Sequence, residues 1–295
     1  MSKLLVIQSD FGLGDGAVSA MHGVANMVDS EIKVDDLTHE IMPYNIFEAS
    51  YRLIQTIKYW PRDTVFVSVV DPGVGSNRKS IAVKTLTNHY IVSPDNGTLS
   101  HIKKYIGIES CKIIDENNNR LPFSEKSHTF HGRDVYTYNA AKIASNPSYY
   151  ETLEDYDKEK IVSFDINEAR ANDGVIKGTV DILDIRFGSL WTNIPADLLS
   201  ENNIHTGDSL KIRIYYKDTK KYENHIQFGH SFSDVKEGEV VAYINSLINL
   251  GIAINQSNFS KTYNIGTGSD WTIEVEKINK ELLWILKINQ QLQKS

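Results

Sequence analysis

Ser68-Val69-Val70-Asp71-Pro72-Gly73-Val74-Gly75-Ser76-Asn77-Arg78 is the stretch on which the fold turns. The run leading into it, Thr64 to Val70, is rich in β-branched residues and stops abruptly at Pro72-Gly73, the pattern of a buried strand ending in a turn. An Asp, a flexible loop and an Arg hang from the strand's C-terminal end. In open α/β sheets that edge is where ligands bind. Taken alone, Asp71-Pro72-Gly73 equally fits a plain turn whose Asp caps the loop and whose Arg is solvated.

Working outward, Leu4 to Gln8 reads as a first strand, too short for a secretory h-region. It delivers Ser9-Asp10-Phe11-Gly12-Leu13-Gly14-Asp15-Gly16 into a helix from Ala17 to Val28. The glycines fit neither a P-loop nor G-x-G-x-x-G, and two carboxylates would repel a phosphate. Asp10 and Asp15 suit hydroxyls or a cation, with helix capping the alternative for Asp15. Ile32 to Leu37 is a second strand, followed by a helix from Pro43-Tyr44 to Trp60-Pro61. Ser80–Thr85 and His89–Ser93 read as two short strands, and Pro94-Asp95-Asn96-Gly97 as a turn opening a helix at Thr98. Thr129-Phe130-His131-Gly132-Arg133-Asp134 precedes an alanine-bearing helix, with Arg133-Asp134 expected to pair as ions.

These elements predict an α/β domain over residues 1–160, Rossmann-like. The acidic, lysine-rich stretch 149–160 reads as a surface linker. Beyond it, alternation in 174–184, 209–216 and 239–244 predicts a smaller β-barrel domain over 161–295, with a helix over Lys277–Leu292. At 295 residues the chain has room for both domains. A net charge of −7 with no basic stripe argues against nucleic acid as a partner, and no apolar run approaches the roughly 18 residues of a membrane span. One cysteine, Cys111, predicts a reducing cytoplasm. No His/Cys/carboxylate cluster has metal-ligand spacing, so no metal is expected.

Four motifs stand in order in the first domain: Ser9-Asp10-Phe11-Gly12, Val70-to-Arg78, Pro94-Asp95-Asn96-Gly97 and Phe130-His131-Gly132-Arg133-Asp134. A fifth, Asp184-Ile185-Arg186-Phe187-Gly188-Ser189-Leu190-Trp191-Thr192-Asn193-Ile194, follows in the second. Together they resemble the S-adenosyl-L-methionine hydroxide adenosyltransferases, or S-adenosylmethionine hydrolases, relatives of fluorinase and chlorinase. The resemblance implies attack of water or hydroxide on the ribose C5′ of S-adenosylmethionine, giving adenosine and methionine without a cofactor. It assigns the water-holding set to Asp71, Arg78 and His131. It assigns the ribose hydroxyls to Asp10 and the methionine ammonium to Asp15 and Asp184. Tyr44 falls beside the ribose and Phe187 against adenine, both also readable as core aromatics. Ser189 stands where relatives carry an adenine-contacting Asn.

A last segment, Tyr243 to Gln256, resembles the family's Y-x-N-S-x-G-x-L-x-x-A-x-N-Q. It implies that Ser246 meets the methionine carboxylate and that the backbone from Ile254 to Gln256 reads the adenine edge. Ile248 replaces a glycine there, and Ile tolerates positive φ poorly. Relatives build the pocket between subunits of a trimer, so a homotrimer is expected. Fluorinase-like members carry Tyr where Asp71 stands and Ser where Gly132 stands, which disfavours a halide-using transferase. That transferase and a nucleoside-binding sensor with negligible turnover are the alternatives.

Overall fold

The computed structural model describes residues 3–278. The helix expected over 277–292 lies outside the described residues, apart from its first two positions. Lys277 closes the last strand of the barrel. The chain divides into two compact units that meet between Asp165 and Ile166.

Unit 1 is a seven-stranded mixed sheet. Its strands are β1 (Leu4–Ser9), β2 (Lys33–Thr38), β3 (Val65–Val69), β4 (Ser80–Thr85), β5 (Tyr90–Pro94), β6 (Ile108–Ile114) and β7 (Glu154–Tyr156). They lie in the order β2-β1-β3-β5-β4-β6-β7. The first four in that order run parallel, while β4, β6 and β7 add antiparallel. Every residue of β3 is buried, as its apolar run requires when both faces of a central strand are covered. Helices α1 (Ala17–Val28) and α2 (Ile46–Thr56) flank the sheet, with α3 (Ser100–Tyr105) after β5 and α4 (Tyr138–Ser145) near the end of the unit. Asn45 starts α2 by accepting the Glu48 N–H at 3.0 Å, and Glu48 returns the favour to the Met42 N–H.

The stretch 149–160 is not a plain surface linker. Tyr150 is fully buried, Leu153 nearly so, and β7 pairs with β6 as an edge strand. Two apolar anchors hidden among charges override the polar average, and the Lys112–Asp155 ion pair ties the edge down.

Unit 2 is a closed barrel of seven strands: β9 (Val175–Asp184), β10 (Ser189–Pro195), β11 (Ser209–Tyr216), β12 (Thr219–Phe228), β13 (Val240–Ile244), β14 (Asn249–Ile254) and β15 (Trp271–Lys277). Short β8 (Arg170–Asn172) adds outside β9, and the β9–β10 pairing closes the ring. Alternate inward side chains such as Leu210, Ile212 and Ile214 fill it.

Candidate active site

Asp71 leaves the end of β3 and turns at once: Val74 N–H bonds Asp71 O, and Ser76 N–H bonds Gly73 O, with Gly75 at φ 76°. The turn brings Arg78 back over Asp71. The guanidinium Nε reaches both carboxylate oxygens at 2.9 Å, and Nη2 bonds Oδ2 as well. This is a bidentate clasp, the strong form of an Arg–carboxylate pair. Nη1 bonds Glu116 at 2.6 Å and Ser80 Oγ at 3.2 Å, while Nη2 lies 3.1 Å from His131 Nδ1. Burial opposes the charge on Arg78, but Asp71, Tyr136 and Glu116 more than offset it, so its pKa is raised and the guanidinium is permanently charged.

Glu116 also accepts from Ser80 Oγ and sits 3.5 Å from His131 Nδ1. Burial alone would raise its pKa; Ser80 and Arg78 lower it on balance. The Tyr136 hydroxyl donates to Asp71 Oδ2 at 3.1 Å. Burial, then the Asp71 charge, push that phenol well above its ordinary value, so it stays a donor. His131 and Tyr136 reach the same cluster because the chain from Gly132 to Thr137 is π-helical, with α4 continuing from it. The i→i+5 bonding of a π-helix widens the turn beyond the 3.6 residues of an α-helix, which brings positions 131 and 136 nearer to one face; such bulges recur at functional sites.

His131 is nearly inaccessible, and its Nε2 is buried without a protein partner. Burial, first, and the Arg78 charge lower its pKa from 6.5, against the pull of Glu116 and Asp71. The imidazole is therefore neutral near pH 7.

A cleft of about 350 Å³ opens beside this cluster, lined by Asp10, Phe11, Tyr44, Asp71, His131 and Gly132 among others. Asp10 Oδ2 accepts the Tyr44 N–H at 2.9 Å, which holds Tyr44 at φ 69° with its ring largely exposed. Tyr44 is thus no core aromatic. Asp15 does not line the cleft; exposed, it accepts the Ala17 N–H at 2.8 Å in a local turn just ahead of α1, whose N-cap is Gly16. Arg133 pairs with the fully buried Asp134 at 2.7 Å.

Unit 2 carries a second cleft, of about 650 Å³, lined by Asp184, Phe187, Ser189, Ile254 and Gln256 among others. Asp184 ends β9, Ser189 faces it across the β9–β10 pair, and Phe187 stands exposed on the connecting turn. Gly188, at φ 65°, packs so tightly on Asn258 that any Cβ would strike it. Five of the six unit 2 residues singled out from the sequence meet here. Ser246 does not: it is exposed on the β13–β14 turn, away from the residues lining this cleft. On that turn Ile248 takes φ 64°, the glycine-like geometry despite its side chain, held by the Asn245 carbonyls against the 247–249 N–H groups.

Three participants escaped the sequence reading: Ser80, Glu116 and Tyr136. The signal for Ser80 and Glu116 is register, and that for Tyr136 is the π-helical turn. Ser80 pairs with Ile114 across β4 and β6, which places Glu116 two residues past the pairing.

Among the described residues, His22, Asp36 and His39 come together with metal-holding geometry, a grouping their spacing in the chain did not suggest.

The chain matches the profiles of the SAM hydroxide adenosyltransferase N-terminal domain over residues 5–152 and C-terminal domain over 178–272. It is 33% identical over 279 residues to the (R)-S-adenosyl-L-methionine hydrolase of Methanocaldococcus jannaschii, covering 93% of this chain and 95% of that one. A fluorinase of Actinopolyspora mzabensis is 23% identical over 90% of this chain and 95% of its own. The crystal structure of an uncharacterized conserved protein from Thermotoga maritima superposes with a TM-score of 0.83 at 28% identity, covering 92% of this chain and 99% of that one.

Proposed function

Because the chain belongs to the SAM hydroxide adenosyltransferase family, we propose that it hydrolyses S-adenosyl-L-methionine to adenosine and L-methionine. The observation that carries this reading is the convergence of Asp71, Arg78 and His131 around one cleft whose rim is Asp10 and Tyr44. A binding protein has no need of such a set.

The sulfonium leaves as a neutral thioether and needs no acid. The task is to position water in line with the C5′–S bond and to take one of its protons. Arg78 donates to His131 Nδ1, so the neutral ring carries its proton on Nε2 and holds the water by donating to it. The fixed Arg78 charge favours hydroxide character on the attacking oxygen. Asp71, lining the same cleft, receives the proton. The O–C5′ bond forms as the C5′–S pair withdraws onto sulfur.

Asp10 takes the ribose hydroxyls beside Tyr44. In unit 2, Asp184 meets the methionine ammonium, Phe187 and Ser189 face adenine, and the backbone from Ile254 to Gln256 reads its edge. Asp15, exposed ahead of α1, and Ser246, exposed on the β13–β14 turn outside the unit 2 cleft, are left as candidates for the far, amino acid end of the substrate. Unit 1 thus handles water and the ribose and unit 2 the adenine and the ammonium, and a homotrimer would supply these surfaces from neighbouring copies; the exposed Tyr44 and Phe187 rings support it. A cytoplasmic setting accords with the single buried cysteine. Among the described residues no helix is long and apolar enough to cross a membrane.

Incubation of the purified protein with S-adenosylmethionine tests the reading. Adenosine and methionine in equal amounts, lost on Asp71→Asn, support it; intact substrate with tight adenosine binding favours a sensor.

A further inference from the structure

Away from the cleft cluster, His22 on α1 and Asp36 and His39 at the end of β2 form a second polar centre. We propose that it is a binding site for a divalent first-row transition metal such as Zn²⁺. His22 Nε2 lies 2.7 Å and His39 Nε2 3.0 Å from the same oxygen, Asp36 Oδ1. One ligand atom from each residue falls within 4.8 Å of the others. Two imidazoles aimed at a single point are the arrangement of a coordination centre. Ligand atoms of a tetrahedral zinc lie roughly 3.3 Å apart, so an opening of about half an ångström admits the ion. Two nitrogens and a carboxylate oxygen select Zn²⁺, Co²⁺, Ni²⁺ or Cu²⁺ over Ca²⁺ or Mg²⁺.

The surroundings fit. His39 is buried and its Nδ1 lies 2.6 Å from Ser9 Oγ. A hydroxyl can donate to Nδ1 while Nε2–H bonds Asp36, or accept from Nδ1–H when Nε2 binds a metal; either state is satisfied. His22 and Asp36 have side-chain exposures of 32% and 37%, which leaves an entry path and open coordination positions for water. The ion would staple α1 to the end of β2. Ser9 precedes Asp10, and the His39 carbonyl accepts the Gly12 N–H, so the staple bears on the loop that carries the cleft's carboxylate.

The test uses the untagged full chain, stripped with a chelator and titrated with Zn²⁺ by calorimetry, and with Co²⁺ by visible absorption. One Zn²⁺ per protomer, Co²⁺ bands of imidazole ligation and a raised thermal midpoint are expected. His22→Ala and Asp36→Asn, on exposed side chains that spare the buried His39, should each weaken Zn²⁺ binding at least 100-fold and remove the thermal shift. Binding that does not saturate below millimolar Zn²⁺, or that survives the double substitution, would overturn the site and leave a hydrogen-bonded His–Asp–His group.

Discussion

Arg78 Nη2 donates to His131 Nδ1 across 3.1 Å, and this fixes which nitrogen of the neutral ring carries the proton. If His131 acts through Nε2–H, a glutamine, whose amide N–H reaches the Nε2 position, keeps part of its work. His131→Gln should retain at least ~10-fold more turnover than His131→Ala, within the ~10²–10⁴-fold span of a positioned proton donor or acceptor. Steady-state kcat for the two variants decides it; equal losses would make His131 a base.

Glu116 sits between Arg78 and His131 and supports both. Glu116→Gln removes one charge-assisted bond to Arg78, worth about 1.5–3 kcal/mol, so kcat should fall about 10- to 100-fold with KM little changed. Glu116 also raises the His131 pKa, against burial. Activity that needs the neutral ring falls on the acid side, and in Glu116→Gln that limb should move to lower pH. The pH profile of kcat reads the shift; a limb that stays put or moves up would remove Glu116 from the site.

Asp10 holds Tyr44 and lines the cleft without touching the Arg78 cluster. Asp10→Ala should weaken adenosine binding by about 1.5–3 kcal/mol, the worth of hydrogen bonds to a charged group. Calorimetric titration with adenosine checks it. Unchanged affinity would remove Asp10 from the ribose.

Gly132 packs against Phe11: an added Cβ would lie 3.0 Å from the ring and 3.3 Å from Val69. Gly132→Ser should cost about 1–3 kcal/mol by overpacking, seen as a lower thermal midpoint. Phe11→Leu should recover part of it. An unchanged midpoint would mean the pocket wall yields freely.

The two units should answer acid in opposite senses. Burial holds His101 of unit 1 down at about 4, with Nε2 lacking a partner. Between pH 6.5 and 4 the unfolded chain binds a proton that the native one refuses, so unit 1 loses up to about 3 kcal/mol as pH falls through that window. Burial raises Asp181 of unit 2 to about 6, so unit 2 gains a similar amount between pH 6 and its ordinary 3.8. Amide exchange at pH 7 and pH 5 should show weaker protection in unit 1 and stronger protection around Asp181.

What the sequence disclosed follows from where its signals are local. The apolar run of β3 and its Pro-Gly stop are local, and so Asp71, Arg78 and the strand tip were legible. Glu116 and Tyr136 depend on a β4–β6 register and a π-helical turn, neither written in neighbouring residues. Charges hid Tyr150 and Leu153, so an edge strand passed for a linker. Ser246 followed from motif order, yet the turn that bears it leaves it outside the unit 2 cleft. His22 joins Asp36 and His39 only in the fold, where its Nε2 lies 2.7 Å from Asp36 Oδ1 although 14 positions separate them in the chain.

The most direct test of the water-activating site is turnover of S-adenosylmethionine in water enriched in heavy oxygen, with and without chloride. Adenosine carrying the heavy atom at its 5′ oxygen, in the same yield with chloride and lost in Asp71→Asn, is the predicted result. A 5′-chloro nucleoside, or adenosine without the label, would contradict it.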